Sequence, residues 1–184
     1  MTKRVLIPLA EGFEEVEAVT LVDVLRRAGV TVVTAGLRAG PMAGSHGLAV
    51  VPDTTLDAVA AESFDMMVLP GGLPGTTHLD EDPRVHALLK RLAGEEKYVA
   101  AICAAPSVLA HAGLLTGKRA TSYPTCMPEE LLPSMHYCDD PVVRDGRVIT
   151  SRGPGTAMDF ALTLSELLTS RAVRDEVEAE LMRP

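Results

Sequence analysis

Tryptophan is absent from the sequence, and aromatic residues make up only 3% of its 184 residues. Acidic residues outnumber basic ones, 25 against 17, so the net charge is −8, and no run of Lys or Arg occurs. A surface that binds nucleic acid needs cations to neutralise phosphates and aromatic rings to stack on bases. The composition therefore argues against a nucleic-acid partner.

Long apolar runs are also missing. The six largely apolar residues between Arg4 and Glu11 are too few for the core of a signal peptide and for a membrane span. No other segment offers the roughly 18 uninterrupted apolar residues of a membrane helix. We therefore expect a cytoplasmic protein with no membrane partner. Because no repeat, low-complexity segment or linker interrupts the chain, we expect one domain over residues 1–184.

Cysteine is scarce, and none of the three cysteines forms a Cys-x-x-Cys pair of the kind found in zinc ribbons and thioredoxin-type proteins. The five histidines include no helical ligand pair such as His-Glu-x-x-His, so no metal is expected. No dinucleotide fingerprint or phosphate-binding loop occurs, which predicts that no cofactor is bound. We interpret Cys126 and Cys138 as small buried side chains.

Short apolar runs alternate with helical patterns in the first two thirds of the chain. Near-continuous apolar runs are typical of parallel strands that are covered on both faces. They occupy residues 5–10, 30–35, 66–69 and 98–102, and helical periodicity covers residues 18–28, 56–61, 83–94 and 104–112. This alternation predicts an α/β fold with a doubly wound, mainly parallel sheet.

The last third of the sequence is more mixed. A turn dipeptide, Asp145-Gly146, separates two apolar runs and predicts a small β-hairpin. We further expect a fifth core strand over residues 119–123, at most a short helix over 128–132, and helices over 156–168 and 172–182. Earlier in the chain, residues 48–51 could form a further strand.

Cys103 lies between a predicted strand and a predicted helix, at the rim where open α/β sheets bind ligands. Ala101 and Ala105 flank it at the two positions where a nucleophile elbow accepts only small residues. The start of the following helix is expected to lower the thiol pKa. The pattern alone leaves a reactive and a structural cysteine equally open.

Glu17 flanks the apolar stripe of the first helix, where partial desolvation would raise its pKa. A protonated carboxyl there could donate a hydrogen bond to a thiolate or transfer a proton. Alternatively, Glu14, Glu15 and Glu17 only complement the helix dipole. The Gly71-Gly72 pair could present backbone N–H groups to an oxyanion, although such a pair is more often a simple turn.

Five segments together resemble the ThiJ/PfpI superfamily, in the branch of the Parkinson-disease protein DJ-one and bacterial YajL. These segments are EEVEA at residues 14–18, VDVLRRAG at 22–29, LPGG at 69–72, AAICAAP at 100–106 and TSRGPGT at 150–156. The resemblance covers nearly the whole chain. It implies a flavodoxin-like three-layer sandwich that forms a homodimer.

The resemblance also implies roles for individual residues. Cys103 would be the nucleophilic, oxidation-prone cysteine, and Glu17 its protonated partner. The backbone N–H groups of Gly72 and Ala104 would form an oxyanion pocket. Further pocket residues would be Gly71, Tyr123, Arg152, Pro154, Arg27 and His46.

Three positions depart from the family pattern. Tyr123 stands before a proline where the DJ-one member has histidine, and tyrosine is a poor base near neutral pH. His46 replaces an anion-binding arginine, whereas Arg27 is kept. Ala104 follows Cys103 where the protease branch has histidine, which argues against a peptidase because no adjacent base is supplied.

The resemblance implies a cofactor-free glyoxalase or deglycase that acts on methylglyoxal, glyoxal and their early adducts and protects against oxidative stress. The alternative is a redox-sensing, chaperone-like protein in which Cys103 oxidises to a sulfinate and turnover is small. A pure protein-interaction module is disfavoured, because the elbow and Glu17 would then have no reason to occur together.

Overall fold

The computed structural model describes residues 2–183, in which strands and helices alternate. The strands are β1 (Arg4–Leu9), β2 (Thr31–Gly36), β3 (Met42–Ala43), β4 (Ala49–Val50), β5 (Thr54–Thr55), β6 (Met66–Leu69), β7 (Tyr98–Ile102), β8 (Arg119–Ala120), β9 (His136–Tyr137), β10 (Val142–Asp145) and β11 (Val148–Ser151). The helices are α1 (Glu15–Arg27), α2 (Leu56–Val59), α3 (Gly75–Glu81), α4 (Pro83–Gly94), α5 (Pro106–His111), α6 (Ala157–Leu168) and α7 (Arg171–Glu180).

A seven-stranded sheet forms the centre, in the order β10-β11-β7-β6-β1-β2-β5. All neighbouring strands are parallel except β10 and β11, which pair antiparallel at one edge. The predicted α/β fold with a mainly parallel sheet is confirmed, and the predicted turn hairpin is this β10–β11 edge. A separate antiparallel hairpin is formed by β3 and β4.

The central strands are apolar on both faces because both faces are covered. In β1, Val5, Ile7 and Leu9 pack into one core layer, and Leu6 faces the other. Helices α1 and α6 contribute their apolar faces to the first layer, while α4 and α5 contribute theirs to the second. None of the helices within residues 2–183 has the length and apolarity needed to cross a bilayer.

The segment 119–123 is not the fifth core strand that the sequence predicts. Only its first two residues, β8, are a strand, and they pair with β9 outside the central sheet. The next amides bond elsewhere: Thr121 N–H donates to Thr150 Oγ1 at 2.9 Å, and Tyr123 N–H donates to the Cys103 carbonyl at 2.8 Å. The fifth parallel core position belongs to β11, which lies beside β7.

Two helical expectations also change. Residues 129–131 form a turn rather than a helix, and one 3₁₀ turn follows at Leu132–Ser134, where Pro133 has no N–H to donate. Helix α3 was not predicted, because its sequence begins Gly-Thr-Thr directly after a Gly-Gly loop and carries no clear apolar periodicity. The loop between β6 and α3 contains Gly71 and Gly72, which belong to the site described below.

Candidate active site

Cys103 occupies a strained turn between β7 and α5. Its φ of 65° lies in the left-handed region, which side chains other than glycine rarely adopt. Hydrogen bonds hold the turn: Cys103 N–H donates to the Ser151 carbonyl, and Ala105 N–H donates to the Ile102 carbonyl, each at 3.0 Å. The turn thus has the elbow geometry that the small flanking residues predict, and strain of this kind concentrates at functional sites.

Glu17 lies in the first turn of α1 and is 0% exposed. Its Oε2 accepts a hydrogen bond from Gly71 N–H at 2.7 Å, and its own N–H donates to Glu14 Oε2 at 2.7 Å. Within residues 2–183, Oε1 of Glu17 is buried without an N–H or O–H partner, and the neighbouring group is the Cys103 thiol. An oxygen in this position is best satisfied as the O–H of a neutral acid that donates to sulfur.

Burial raises the pKa of Glu17 to about 7, although hydrogen bonds from Cys103 and Gly71 act in the opposite direction. Burial also raises the pKa of the Cys103 thiol to about 12, and the charge of an ionised Glu17 adds to this effect. The sequence predicts a lowered thiol pKa, and that expectation does not hold while Glu17 is charged. The thiolate is favoured when Glu17 holds the proton that the two groups share.

Backbone N–H groups stabilise negative charge on the sulfur. Hydrogen bonds from Ala104 and Gly72 lower the pKa of Cys103 against the effects of burial and charge. Gly72 has a φ of 94°, and a Cβ at this position would lie 2.4 Å from the backbone nitrogen of Glu14. Only glycine fits there, and because it has no side chain the backbone N–H of the loop can lie close to the sulfur.

Cys103 opens into a cleft of about 390 Å³. The cleft is also lined by His46, Leu73, Tyr123 and Cys126. Gly71 lies beneath it, where a Cβ would come within 2.6 Å of Cys103 Cβ.

Glu15 orients His46 at the mouth of this cleft. His46 Nδ1 lies 3.0 Å from Glu15 Oε2, and His46 N–H donates to Glu15 Oε1 at 2.6 Å. Burial acts to raise the pKa of Glu15, but hydrogen bonds from His46 and from backbone N–H groups lower it to about 2. Glu14, Glu15 and His46 are the one group of possible metal ligands among the described residues, and their ligand atoms lie within 4.8 Å of one another. Hydrogen bonds already occupy both carboxylates.

Three residues expected in the pocket lie elsewhere. Arg27, at the end of α1, donates to Asp23 at 2.7 Å. Arg152 lines a neighbouring cleft, where it donates to the Asp139 carbonyl at 3.0 Å. Pro154 begins a 3₁₀ turn after β11 and is exposed. The described residues of one chain therefore bring together Cys103 and the remaining predicted residues, but not these three.

Cys126 also lines the cleft, although the sequence predicts it to be a small buried side chain with no role in the site. Cys126 and Cys138 are both half-buried rather than buried as predicted, and Cys126 shares the cleft with Cys103. The loop that carries Cys126 is joined to the elbow by the hydrogen bond from Tyr123 N–H to the Cys103 carbonyl, twenty residues away in sequence. No local sequence pattern indicates that Cys126 shares this cleft.

Comparisons with known proteins agree with this architecture. A family model described as the DJ-1/PfpI family matches residues 3–167. "Protein dj-1beta" of Drosophila melanogaster is 46% identical over 184 residues, which cover 99% of this chain and 98% of that protein. The crystal structure of Drosophila melanogaster DJ-1beta has a TM-score of 0.96 at 45% identity and covers 100% of both chains. "Glutathione-independent glyoxalase DJR-1.2" of Caenorhabditis elegans is 40% identical over 164 residues, which cover 89% of this chain and 87% of that protein. The chain belongs to the DJ-1/PfpI family.

Proposed function

We propose that this protein is a cysteine-dependent, cofactor-free glyoxalase that converts methylglyoxal to lactate and glyoxal to glycolate, and that it also acts on their early adducts. The observation that carries the proposal is the contact between the buried Glu17 carboxyl and the Cys103 thiol at an elbow whose N–H groups stabilise negative charge. The Caenorhabditis elegans relative, named a glutathione-independent glyoxalase, supports it.

The first step is addition of the Cys103 thiolate to the aldehyde. A C–S bond forms, and the carbonyl π electrons move to oxygen, which gives a hemithioacetal oxyanion. The N–H groups of Gly72 and Ala104, which lower the pKa of the thiol in the free protein, would also stabilise this charge. The cleft volume of about 390 Å³ leaves room for the substrate's methyl group and second carbonyl.

In the second step the neutral Glu17 protonates the oxyanion, and the resulting carboxylate moves a proton from the aldehyde carbon to the neighbouring carbon while the hydroxyl proton passes to the neighbouring oxygen. Glu17, whose pKa is raised to about 7, can release and take up this proton near neutral pH. The aldehyde carbon is oxidised to a thioester while the neighbouring carbonyl is reduced, so no external electron carrier is needed. Water then cleaves the thioester, which releases lactate and restores the thiol.

The experiment that tests this proposal supplies methylglyoxal without glutathione and follows lactate by NMR. Lactate should accumulate over many turnovers, at a rate proportional to the protein concentration. Disappearance of methylglyoxal without lactate would indicate scavenging by protein side chains. If lactate is absent while Cys103 accumulates as a stable sulfinate, the redox-sensing, chaperone-like function is favoured instead.

Replacing Tyr123 with histidine should increase the rate of lactate formation. Tyr123 lines the cleft with Cys103, and histidine at this position would supply a base near neutral pH. A positioned base contributes on the order of 10²-fold or more, so a gain of at least about tenfold is expected for Tyr123→His. Tyr137→His, which lies in the neighbouring cleft, is the matched control and should leave the rate unchanged. Equal rates for wild type and Tyr123→His would show that proton transfer does not limit turnover.

We also infer that two copies of the chain associate through an apolar groove between α1 and β4. Val19 and Val51 line this groove and are both exposed, and a contiguous exposed apolar patch, unlike a single exposed residue, marks an interaction surface. Val51→Asp should convert a dimer into a monomer in sedimentation velocity. Met182→Asp, at another exposed apolar residue, should leave the dimer intact. A monomeric wild type would refute the inference.

A further inference from the structure

We propose that Cys126 is a resolving cysteine, which closes an intramolecular disulfide with Cys103 after a hydroperoxide has oxidised Cys103 to a sulfenic acid. The protein would then carry a reversible peroxide-reducing activity in the same cleft. The proposal shares the Cys103 thiolate with the glyoxalase function but needs no carbonyl substrate, so lactate formation and disulfide formation can fail independently.

The backbone ties the two cysteines together through Tyr123. Tyr123 N–H donates to the Cys103 carbonyl at 2.8 Å, and Cys126 N–H donates to the Tyr123 carbonyl at 3.1 Å. The second hydrogen bond closes a turn whose ends lie within about 7 Å of each other. Cys126 is therefore positioned next to the residue that contacts the elbow.

Both sulfur-bearing side chains also share one chemical environment. Cys103 and Cys126 line the same cleft, and both are unpaired and only partly buried. Burial raises the pKa of each thiol, and the charge of Glu17 acts on both of them in the same direction. This shared response to one buried carboxylate agrees with the position of both thiols in one cleft.

The two cysteines differ in how firmly their backbone is held. The elbow of Cys103 is fixed by hydrogen bonds to β11 and to Ile102. Cys126 follows Thr125, a residue with a φ of 72° in an exposed turn. A disulfide requires Cα atoms about 4.4–6.8 Å apart. Movement of this exposed turn towards the fixed elbow is the change that would bring the sulfurs to bonding distance.

Cys138 has a different setting. Its N–H donates to the Ala120 carbonyl at 2.8 Å, and its Sγ lies 3.3 Å from the His136 carbonyl. This cysteine follows β9 and does not line the Cys103 cleft. It therefore serves as a control for nonspecific thiol oxidation.

The chemistry balances with a hydroperoxide as the oxidant. The Cys103 thiolate attacks one peroxide oxygen, an S–O bond forms, the O–O bond breaks, and the leaving oxygen takes the Glu17 proton. Cys126 then loses its proton to Glu17 and attacks the Cys103 sulfur. The S–S bond forms as the S–O bond breaks, and the departing hydroxide takes that proton to become water. Overall, two thiols and one hydroperoxide give one disulfide, one alcohol and one water.

The test treats the reduced protein with one molar equivalent of hydrogen peroxide, blocks free thiols and determines the intact mass and peptide map. The wild type should lose the mass of two hydrogens, yield a peptide that links Cys103 to Cys126, and return to the starting mass with dithiothreitol. Cys138→Ser should behave in the same way. Cys126→Ser should lose the linked peptide and carry one oxygen atom on Cys103 as a sulfenic acid, and a second equivalent of hydrogen peroxide should raise this to two oxygen atoms.

The wild-type peptide map decides the proposal even if Cys126→Ser folds poorly. A stable sulfinate on Cys103 together with an alkylated Cys126 in the wild type would overturn it. A disulfide that joins two copies of the chain, or one that includes Cys138, would also overturn it.

Discussion

Cys103→Ser is expected to reduce lactate formation from methylglyoxal by at least about 10³-fold, because removal of a catalytic nucleophile has effects of this size or larger. A serine hydroxyl does not ionise near neutral pH, and the following residue, Ala104, provides no base to activate it. Glu17 cannot compensate, since its pKa of about 7 is far below that of an alcohol. Initial rates of lactate formation, measured by NMR without glutathione, check this result.

Cys138→Ser is the matched control, because it makes the same chemical change at a cysteine outside the cleft. Its rate should equal that of the wild type. Thermal unfolding of both variants verifies that the elbow still folds around the smaller oxygen atom. A Cys103→Ser variant that keeps the wild-type rate would exclude the thiolate addition step and leave lactate formation to another group.

Much of the fold follows from local sequence because burial on both faces leaves a local pattern. The apolar strand that precedes Cys103 was recognisable in this way, and so was the helix α4 between Pro83 and Gly94. Segment 119–123 has no such apolar run, since its buried residues Thr121 and Ser122 are polar, and it forms no core strand. Its amides bond to the Thr150 side chain and the Cys103 carbonyl, partners that depend on tertiary structure.

The site could be predicted only in part, because local patterns identify single residues but not the contacts between them. The sequence indicates Cys103 at an elbow and Glu17 on a half-buried helix side, but the pKa of each group depends on the other. Whether the pKa of the Cys103 thiol is raised or lowered therefore depends on whether Glu17 is ionised. The position of Arg27 outside the pocket has a local cause in the sequence. Asp23 lies four residues before it, and the two side chains form an ion pair on the helix surface.

Glu17→Ala and Glu17→Gln are expected to separate two roles of the carboxyl group. With Glu17 protonated, its O–H donates to the thiolate, and a hydrogen bond to a charged group contributes about 1.5–3 kcal/mol. Glu17→Ala removes that donor and should raise the thiol pKa by about one to two units. Glu17→Gln keeps an N–H donor and carries no charge, so its thiol pKa should stay near that of the wild type. Titration of the thiolate ultraviolet absorbance, with Cys126 and Cys138 changed to Ser, measures these values.

Lactate formation should respond differently from the thiol pKa. Neither Ala nor Gln can move a proton between the two substrate carbons, so both variants should be slower by about 10²-fold or more, even at a pH where the thiolate is fully formed. An ionised Glu17 in the free protein predicts another pattern. Either neutral substitution would then lower the thiol pKa, because it removes the charge that helps to raise the pKa of Cys103 to about 12. A thiol pKa that falls in Glu17→Ala would therefore reject the protonated carboxyl, whereas a Gln variant with an intact thiolate and little lactate formation would identify Glu17 as the proton carrier.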